Sequence, residues 1–136
     1  MASIPPYESH FNVLVVDDHD DTRAALVRLI RHSGYSAAGV SDGHQALAIL
    51  EITQPKVIFL DYHLPEIDGL EILRRIRQQP TLAAIPVVMF TAADPTVIRP
   101  QAIEFGADDF ILKGANAWSS VLDCLTRLID SPASNV

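Results

Sequence analysis

The sequence has little cysteine and no long apolar run, and each shortage excludes a class of protein. Cys124 is the only cysteine among 136 residues, so the chain cannot form an internal disulfide. Its neighbours Leu122 and Leu125 indicate a helix face, which predicts a buried, unreactive thiol. No apolar run approaches the ~20 residues that a membrane-spanning helix needs. Residues 1–11 lack the pattern of a secretory signal, so we expect a cytoplasmic protein that does not contact a membrane.

Basic side chains are also scarce, since ten lysines and arginines stand against seventeen acidic residues and give a net charge of -7. A surface of this charge repels a phosphate backbone, so we expect no direct binding of nucleic acid. A chain of 136 residues has room for one hydrophobic core. Strand-like and helical patterns of apolar residues are missing only near the two ends of the sequence. This predicts one domain over residues 11–130, with flexible segments at 1–10 and 131–136.

Short apolar runs alternate with segments of helical periodicity between those ends. Five runs read as strands buried on both faces, at residues 13–16, 35–40, 57–60, 87–90 and 110–112. Helical patterns separate them, and the last is the most regular, with Trp118 on its apolar stripe. This alternation predicts an α/β fold with a doubly wound, five-stranded parallel sheet and five helices. The fourth helix, within 95–105, is expected to be short, kinked or partly unwound because Pro100 has no backbone N–H.

Several charged residues in this pattern have structural interpretations. Asp20 and Asp21 precede the first helix and are interpreted as N-capping residues. The arginines of the first and third helices lie opposite the apolar stripes and are expected to face solvent: Arg23, Arg28, Arg31, Arg74, Arg75 and Arg77. Four histidines show no paired ligand spacing and are interpreted as surface residues: His10, His19, His32 and His44.

Polar residues follow four of the predicted strands at the point where each strand ends. Asp17 and Asp18 follow the first strand, Asp61 the third, Thr91 the fourth and Lys113 the fifth. The carboxyl ends of parallel strands lie along one edge of the sheet, and ligands bind there at the topological switch point. We therefore expect these five residues to meet in one crevice.

Three carboxylates at one edge repel one another unless a cation neutralises them. Mg²⁺ prefers oxygen ligands and typically combines one or two carboxylates with waters and a phosphate oxygen. The pattern therefore predicts an Mg²⁺ site formed by Asp17, Asp18 and Asp61, with the backbone carbonyl of His63 as a further ligand.

Asp61 is the best candidate for a nucleophile because it stands alone at its strand end, whereas Asp17 and Asp18 are adjacent and better suited to hold a cation. A carboxylate in this place can attack phosphorus and form an acyl phosphate. Lys113 supplies a compact positive charge and Thr91 a hydroxyl donor, and both suit phosphate oxygens. These three residues are the predicted catalytic set.

Four segments together carry a family resemblance: VVDD at 15–18, LDYHLPEIDG at 60–69, TAA at 91–93 and GADDFILK at 106–113. In order and strand-end placement they resemble the receiver domains of two-component response regulators, over residues 11–130. The resemblance implies a flavodoxin-like fold with strand order 2-1-3-4-5. It also implies that Asp61 is the phosphoacceptor, that Mg²⁺ is the cofactor, and that Thr91 and Phe110 act as switch residues.

The partners implied by the resemblance are a sensor histidine kinase or a histidine phosphotransfer protein, and a downstream protein target. The domain would then be a regulatory phosphoacceptor rather than an enzyme. Phe110 is equally well explained as a core aromatic. The sequence departs from the family at Gly114, where receiver domains usually have proline, so the loop after Lys113 has its own geometry.

Two other function classes stay open. The segment from Asp18 to Thr22 fits the D-x-D-x-T opening of haloacid-dehalogenase-type phosphatases, although Thr22 leads directly into a helix and leaves no room for a flap. The second class is a receiver-like module that binds partners without phosphorylation, which Gly114 and the proline in the fourth helix keep open.

Overall fold

The computed structural model describes residues 11–129, so the flexible segments predicted at 1–10 and 131–136 lie outside the described residues. Strands and helices alternate along this range. The strands are β1 (Val13–Val16), β2 (Ala37–Val40), β3 (Val57–Leu60), β4 (Val87–Thr91) and β5 (Asp109–Leu112). The helices are α1 (Asp20–His32), α2 (Gly43–Ile49), α3 (Gly69–Gln78), α4 (Pro95–Glu104) and α5 (Ala117–Leu128).

All strand pairs are parallel, and the strand order is β2-β1-β3-β4-β5. Successive residues of a strand point to opposite faces, so Leu14 and Val16 join one core with α2, α3 and α4, while Val13 and Val15 join the other with α1 and α5. Because the central strands are covered on both faces, their sequences are continuously apolar. The predicted doubly wound, flavodoxin-like sheet with five helices is confirmed.

Most predicted strand boundaries agree within one residue, and β2 is the exception because it begins at Ala37 rather than at residue 35. Gly34 ends α1 with a φ of 98°, and the Tyr35 N–H donates back to the carbonyl of Ile30. Residues 34 and 35 therefore complete the helix-ending turn and cannot extend the strand. Glycine is the usual residue directly after a helix C-cap, because it adopts a positive φ without steric cost.

The expectation of a short or partly unwound fourth helix is wrong, because α4 runs from Pro95 to Glu104 and contains Pro100. Pro95 occupies the first turn, where a missing N–H has no cost. Asp94 is the N-cap of α4, and its carboxylate accepts a hydrogen bond from the Thr96 N–H. Pro100 is exposed, so the one carbonyl that it leaves without a helical donor can be hydrated. A single missing hydrogen bond on the solvent side does not end the helix.

Arg31 is exposed, as expected, whereas Arg77 is only partly exposed, and both side chains donate hydrogen bonds to the backbone beside their helices. Arg31 donates from Nη2 to the carbonyl of Ala37 on the edge strand β2, at 2.8 Å. Arg77 donates to the carbonyls of Ile85 and Gly106, both at 2.7 Å. Helical periodicity predicts only where a side chain leaves the backbone, and a long side chain can turn back to a carbonyl that lacks a donor.

Trp118, predicted as a core residue, is 38% exposed at the start of α5. One face of its ring stacks on Phe90 of β4, with the ring centroids 6.0 Å apart. The buried stripe of α5 is formed by Val121, Cys124 and Leu125, which confirms the buried position expected for the thiol. No helix within residues 11–129 combines the length and the apolar character that crossing a membrane requires.

Candidate functional site

The acidic residues that follow β1 and β3 lie side by side at the carboxyl end of the sheet. The Asp17 N–H donates to the carbonyl of Val40 at 3.1 Å, and the Asp61 N–H donates to the carbonyl of Val16 at 3.0 Å. These bonds continue the sheet pairing by one residue past the strands. Both aspartates are therefore held by the backbone, and they are buried, with exposed fractions of 1% and 4%.

Asp17, Asp18 and Asp61 each offer a carboxylate oxygen, and the three oxygens lie within 4.8 Å of one another. Asp18 is exposed and forms the open side of the cluster. The backbone N–H of His19 donates to Asp17 Oδ1 at 2.9 Å, and that of His63 donates to Asp61 Oδ1 at 3.3 Å. The two buried carboxylates are thus each fixed by the residue two positions further on.

Lys113 reaches this cluster from the end of β5. Its Nζ lies 2.8 Å from Asp17 Oδ2 and donates to Asp61 Oδ2 at 2.9 Å. Burial alone would lower the pKa of the Lys113 ammonium, but the two carboxylates outweigh it and raise this pKa above its usual value. The ammonium also lies 5.7 Å from the centre of the Phe90 ring, within cation–π range.

The contact between Lys113 and Asp17 Oδ2 is an ion pair without the angles of a hydrogen bond. Among the described residues, Asp17 Oδ2 is the one buried side-chain oxygen or nitrogen that lacks a hydrogen-bond partner. A buried carboxylate oxygen that accepts no hydrogen bond, next to two further carboxylates, has the coordination capacity that a hard cation uses. The donor set consists of oxygen atoms alone, so the residues present fit Mg²⁺.

Thr91 is fully buried as the last residue of β4, and its carbonyl accepts from the Lys113 N–H at 2.8 Å. Its hydroxyl oxygen accepts from the Ala93 N–H at 3.3 Å. Phe110 is buried in the core that β5 shares with α4. The structure therefore accounts for Phe110 as a core aromatic, and the switch role of Thr91 and Phe110 stays a prediction.

His63 is exposed, and its ring lies edge-on to Tyr62 with the centroids 4.9 Å apart. Its N–H binds Asp61, which places its backbone beside the cluster. The role of its carbonyl as a metal ligand stays a prediction. The Lys113–Gly114 peptide bond is trans, as are all others within residues 11–129.

The N-cap of α1 is His19, so the interpretation of Asp20 and Asp21 as capping residues is wrong. The Thr22 N–H donates to His19 Nδ1 at 3.2 Å, and Asp20 and Asp21 lie in the first helical turn, where negative charge stabilises the helix N-terminus. Histidine is not among the preferred capping residues, so the sequence carried no signal for this role.

Two further residues shape the site without having been predicted to do so. Arg23, expected to face solvent, donates from Nη1 to the carbonyl of Asp17 at 2.8 Å. Gly69 lies so close to the loop after β3 that a Cβ atom at residue 69 would be 2.2 Å from the carbonyl oxygen of Asp61. Gly69 is the last residue of the segment LDYHLPEIDG noted in the sequence, whereas nothing in the sequence indicated the contact between Arg23 and the Asp17 carbonyl.

This fold and this acidic edge define a class of α/β domains, the receivers of two-component systems. Residues 13–119 match the family model described as response regulator receiver domain, and the chain belongs to that family. It is therefore a regulatory domain rather than an enzyme that turns over a substrate. The expected family is confirmed.

Three similar proteins illustrate the family. The chain is 38% identical over 101 residues to the alkaline phosphatase synthesis transcriptional regulatory protein PhoP of Bacillus subtilis, covering 74% of the chain but 41% of that relative. It is 37% identical over 113 residues to the two-component response regulator ORR3 of Oryza sativa subsp. indica, covering 82% and 84%. The crystal structure of the signal receiver domain of a signal transduction histidine kinase from Syntrophus aciditrophicus superposes with a TM-score of 0.78 at 32% identity, covering 87% and 89%. The chain thus spans less than half the length of the Bacillus relative.

Proposed function

We propose that the chain is a cytoplasmic phosphoacceptor whose Asp61 takes a phosphoryl group from a phosphohistidine. The donor is a partner sensor histidine kinase or a histidine phosphotransfer protein. The observation that carries this proposal is the buried carboxylate of Asp61, with one oxygen 2.9 Å from the Lys113 ammonium and the acid pair of β1 beside it.

In the proposed transfer, a carboxylate oxygen of Asp61 attacks phosphorus while the bond between phosphorus and the imidazole nitrogen breaks. The imidazole takes the bonding electron pair and a proton, and the product is a mixed carboxylic–phosphoric anhydride on Asp61. Lys113 stabilises negative charge on the phosphoryl oxygens by exchanging its contact with Asp61 Oδ2 for one of them. Hydrolysis of the anhydride resets the domain.

A divalent cation, when bound, offsets the negative charge of the carboxylates and of the transferring phosphoryl group. Asp17, Asp18 and Asp61 would hold it, together with the carbonyl of His63. The support is the oxygen-only donor set and the buried Asp17 Oδ2, which accepts no hydrogen bond in the described part of the chain.

The output of the switch is a change in the binding of a downstream protein target. Thr91 Oγ1 would turn from the Ala93 N–H to the phosphoryl group, and Phe110 would respond next to α4. The result is a population shift across α4, β5 and α5. The net charge of -7 opposes direct DNA contact by this domain, so control of transcription would act through another domain or protein.

The two alternatives have less support. In a haloacid-dehalogenase-type phosphatase, Thr22 would precede a flap, but Thr22 lies inside α1 and its hydroxyl is 2.9 Å from the His19 ring. A phosphorylation-independent module would have no use for a buried acid and lysine cluster, whose burial is costly in free energy without a function.

Incubation with a small acyl phosphate and Mg²⁺, followed by intact mass measurement, tests the proposal. We expect one phosphoryl adduct per chain, absent when the metal is chelated, with donor consumption limited by slow decay of the adduct. Rapid sustained release of phosphate would favour the phosphatase. No adduct under any condition would favour the phosphorylation-independent module.

A further inference from the structure

The side chain of Arg23 connects α1 to the backbone of the acid pair. Its Nη1 donates to the carbonyl of Asp17 at 2.8 Å, and its Nη2 donates to Asp20 Oδ1 at 2.7 Å. Although it belongs to the polar side of α1, the Arg23 side chain is only 22% exposed. The guanidinium therefore has a defined position: its contact with Asp20 holds it on α1, and its contact with the Asp17 carbonyl reaches the acidic cluster.

Gly39 on the edge strand β2 provides the space for this path. A Cβ atom at residue 39 would lie 2.9 Å from Cγ and 3.1 Å from Cδ of Arg23. The arginine stem thus runs across the face of the strand where a side chain would otherwise stand. Close approach, rather than an unusual backbone conformation, explains glycine at this position.

We propose that Arg23 is a positioning residue for the Mg²⁺ site, an inference that rests on the proposed function. The carbonyl that it binds belongs to the peptide joining Asp17 to Asp18. Holding this peptide plane sets the directions in which both side chains leave the backbone. The His19 N–H fixes the Asp17 carboxylate itself, so the two contacts together orient the acid pair.

Charge and positioning predict opposite effects when Arg23 is replaced. Removing a positive charge close to a cation site strengthens cation binding by Coulomb's law. Losing an outer contact that orients the ligands weakens binding, typically by 10-fold to 100-fold. The direction of the change in Mg²⁺ affinity therefore separates the two effects.

Arg31 offers a matched control on the same helix. It also donates a guanidinium hydrogen bond to a backbone carbonyl, that of Ala37 on β2, but it does not contact the acid pair. Arg23→Met and Arg31→Met each remove one positive charge and the guanidinium hydrogen bonding to one backbone carbonyl, and Arg23→Met also removes the ion pair with the exposed Asp20 carboxylate. Both are expected to lower the denaturation midpoint, so stability alone does not distinguish them.

The experiment is an NMR titration of the metal-free full chain with Mg²⁺, following the backbone amide signals of Asp18 and Asp61. We expect Arg23→Met to weaken Mg²⁺ binding roughly 10-fold, with a shifted Asp18 amide signal before any metal is added. Arg31→Met should bind Mg²⁺ within about twofold of wild type. Arg23→Lys keeps the positive charge and N–H donors but lacks the two-pronged guanidinium, so its Mg²⁺ affinity should fall between those of wild type and Arg23→Met.

Gly39→Ala displaces the arginine stem without altering a charge, and it should also weaken Mg²⁺ binding. This variant carries the test if Arg23→Met does not fold. Unchanged or tighter Mg²⁺ binding in Arg23→Met, or in Gly39→Ala when that variant carries the test, would overturn the inference while leaving the proposed function intact. A wild-type chain that binds no Mg²⁺ would overturn the proposed metal site and this inference with it.

Discussion

Lys113 Nζ donates to Asp61 Oδ2 at 2.9 Å, although β4 lies between the strands that carry the two residues. The lysine side chain must pass over the end of β4, where its own N–H is bonded to the carbonyl of Thr91. Lys113 therefore joins the ends of β3, β4 and β5, through its ammonium to Asp61 and through its backbone N–H to Thr91, and any group that takes the place of the ammonium on Asp61 changes contacts on β5.

Replacing Lys113 with methionine is expected to destabilise the metal-free protein, because Asp17, Asp18 and Asp61 then lie together without a cation. Breaking a partly buried ion pair of this kind costs about 2 kcal/mol, between the surface and the buried cases. Urea denaturation of wild type and Lys113→Met measures the difference. Mg²⁺ should stabilise the variant more than it stabilises wild type, and equal stabilisation would contradict this account.

The contacts between Lys113 and the carboxylates also make the stability of the protein depend on pH. The pKa of Lys113 is raised above its ordinary 10.5 in the folded state, so its contribution to stability is complete below pH 10.5 and is lost as the pH rises through the folded value. The stability difference between wild type and Lys113→Met should therefore be constant from pH 7 to pH 10 and shrink above it. If this stability difference instead became smaller as the pH fell from 10 to 7, the result would contradict a raised pKa of Lys113.

Gly69→Ala is expected to displace the backbone of Asp61, the proposed phosphoacceptor. The new Cβ would lie 2.2 Å from the carbonyl oxygen of Asp61, so the backbone must move, at a cost of about 2 kcal/mol. Adduct formation should slow in parallel. Alanine is the better helix former, so without this steric conflict Gly69→Ala, at the start of α3, would instead raise the free energy of unfolding by up to ~1 kcal/mol. A stabilised variant would therefore contradict the close approach. Gly114→Ala is the control, since nothing lies within 4 Å of its added Cβ.

Arg77→Ala tests a structural contact at the opposite end of the sheet. Arg77 binds the carbonyls of Ile85 and Gly106 and the carboxylate of Asp108, which joins the loops before β4 and β5. Loss of these charged hydrogen bonds should lower the free energy of unfolding by about 3 kcal/mol without changing the rate of phosphorylation per folded molecule. Arg74→Ala removes an exposed arginine of the same helix and should cost less than about 1 kcal/mol.

Cys124 is expected to be unreactive in the native protein. Burial and the neighbouring Asp109 carboxylate raise the pKa of its thiol from 9.0 to about 12, so the native thiol stays protonated at pH 9, where an unfolded thiol is half ionised. Modification by an aromatic disulfide reagent should be more than roughly tenfold slower in buffer than in urea. Equal rates would show an accessible thiolate. The stability that this thiol provides is lost as the pH rises from 9 towards 12.

The parts of the molecule that were predictable follow from backbone periodicity. Strands such as β1 and β3 are buried on both faces, so their sequences are continuously apolar and their ends are visible. Asp17 and Asp61 come directly after these ends, and parallel topology then brings them together. The fold and the acidic edge therefore needed no knowledge of side-chain conformation.

The parts that were missed depend on where long or unusual side chains reach. Arg23 and Arg77 leave their helices on the polar side, as periodicity predicts, and then turn back to backbone carbonyls. Trp118 lies on the predicted stripe, but the face that α5 buries includes Ala117, Val121, Cys124 and Leu125 and leaves Trp118 partly exposed at its edge. Pro100 is tolerated because it is exposed, and exposure is a tertiary property.

The most direct test of the central claim is to locate the phosphoryl group. After incubation with an acyl phosphate donor and Mg²⁺, borohydride reduction converts an aspartyl phosphate to homoserine, which peptide mass spectrometry can assign. We predict homoserine at position 61 in wild type, with none anywhere in Asp61→Asn. Homoserine at position 17 or 18, or an equal yield from Asp61→Asn, would contradict the assignment of Asp61 as the phosphoacceptor.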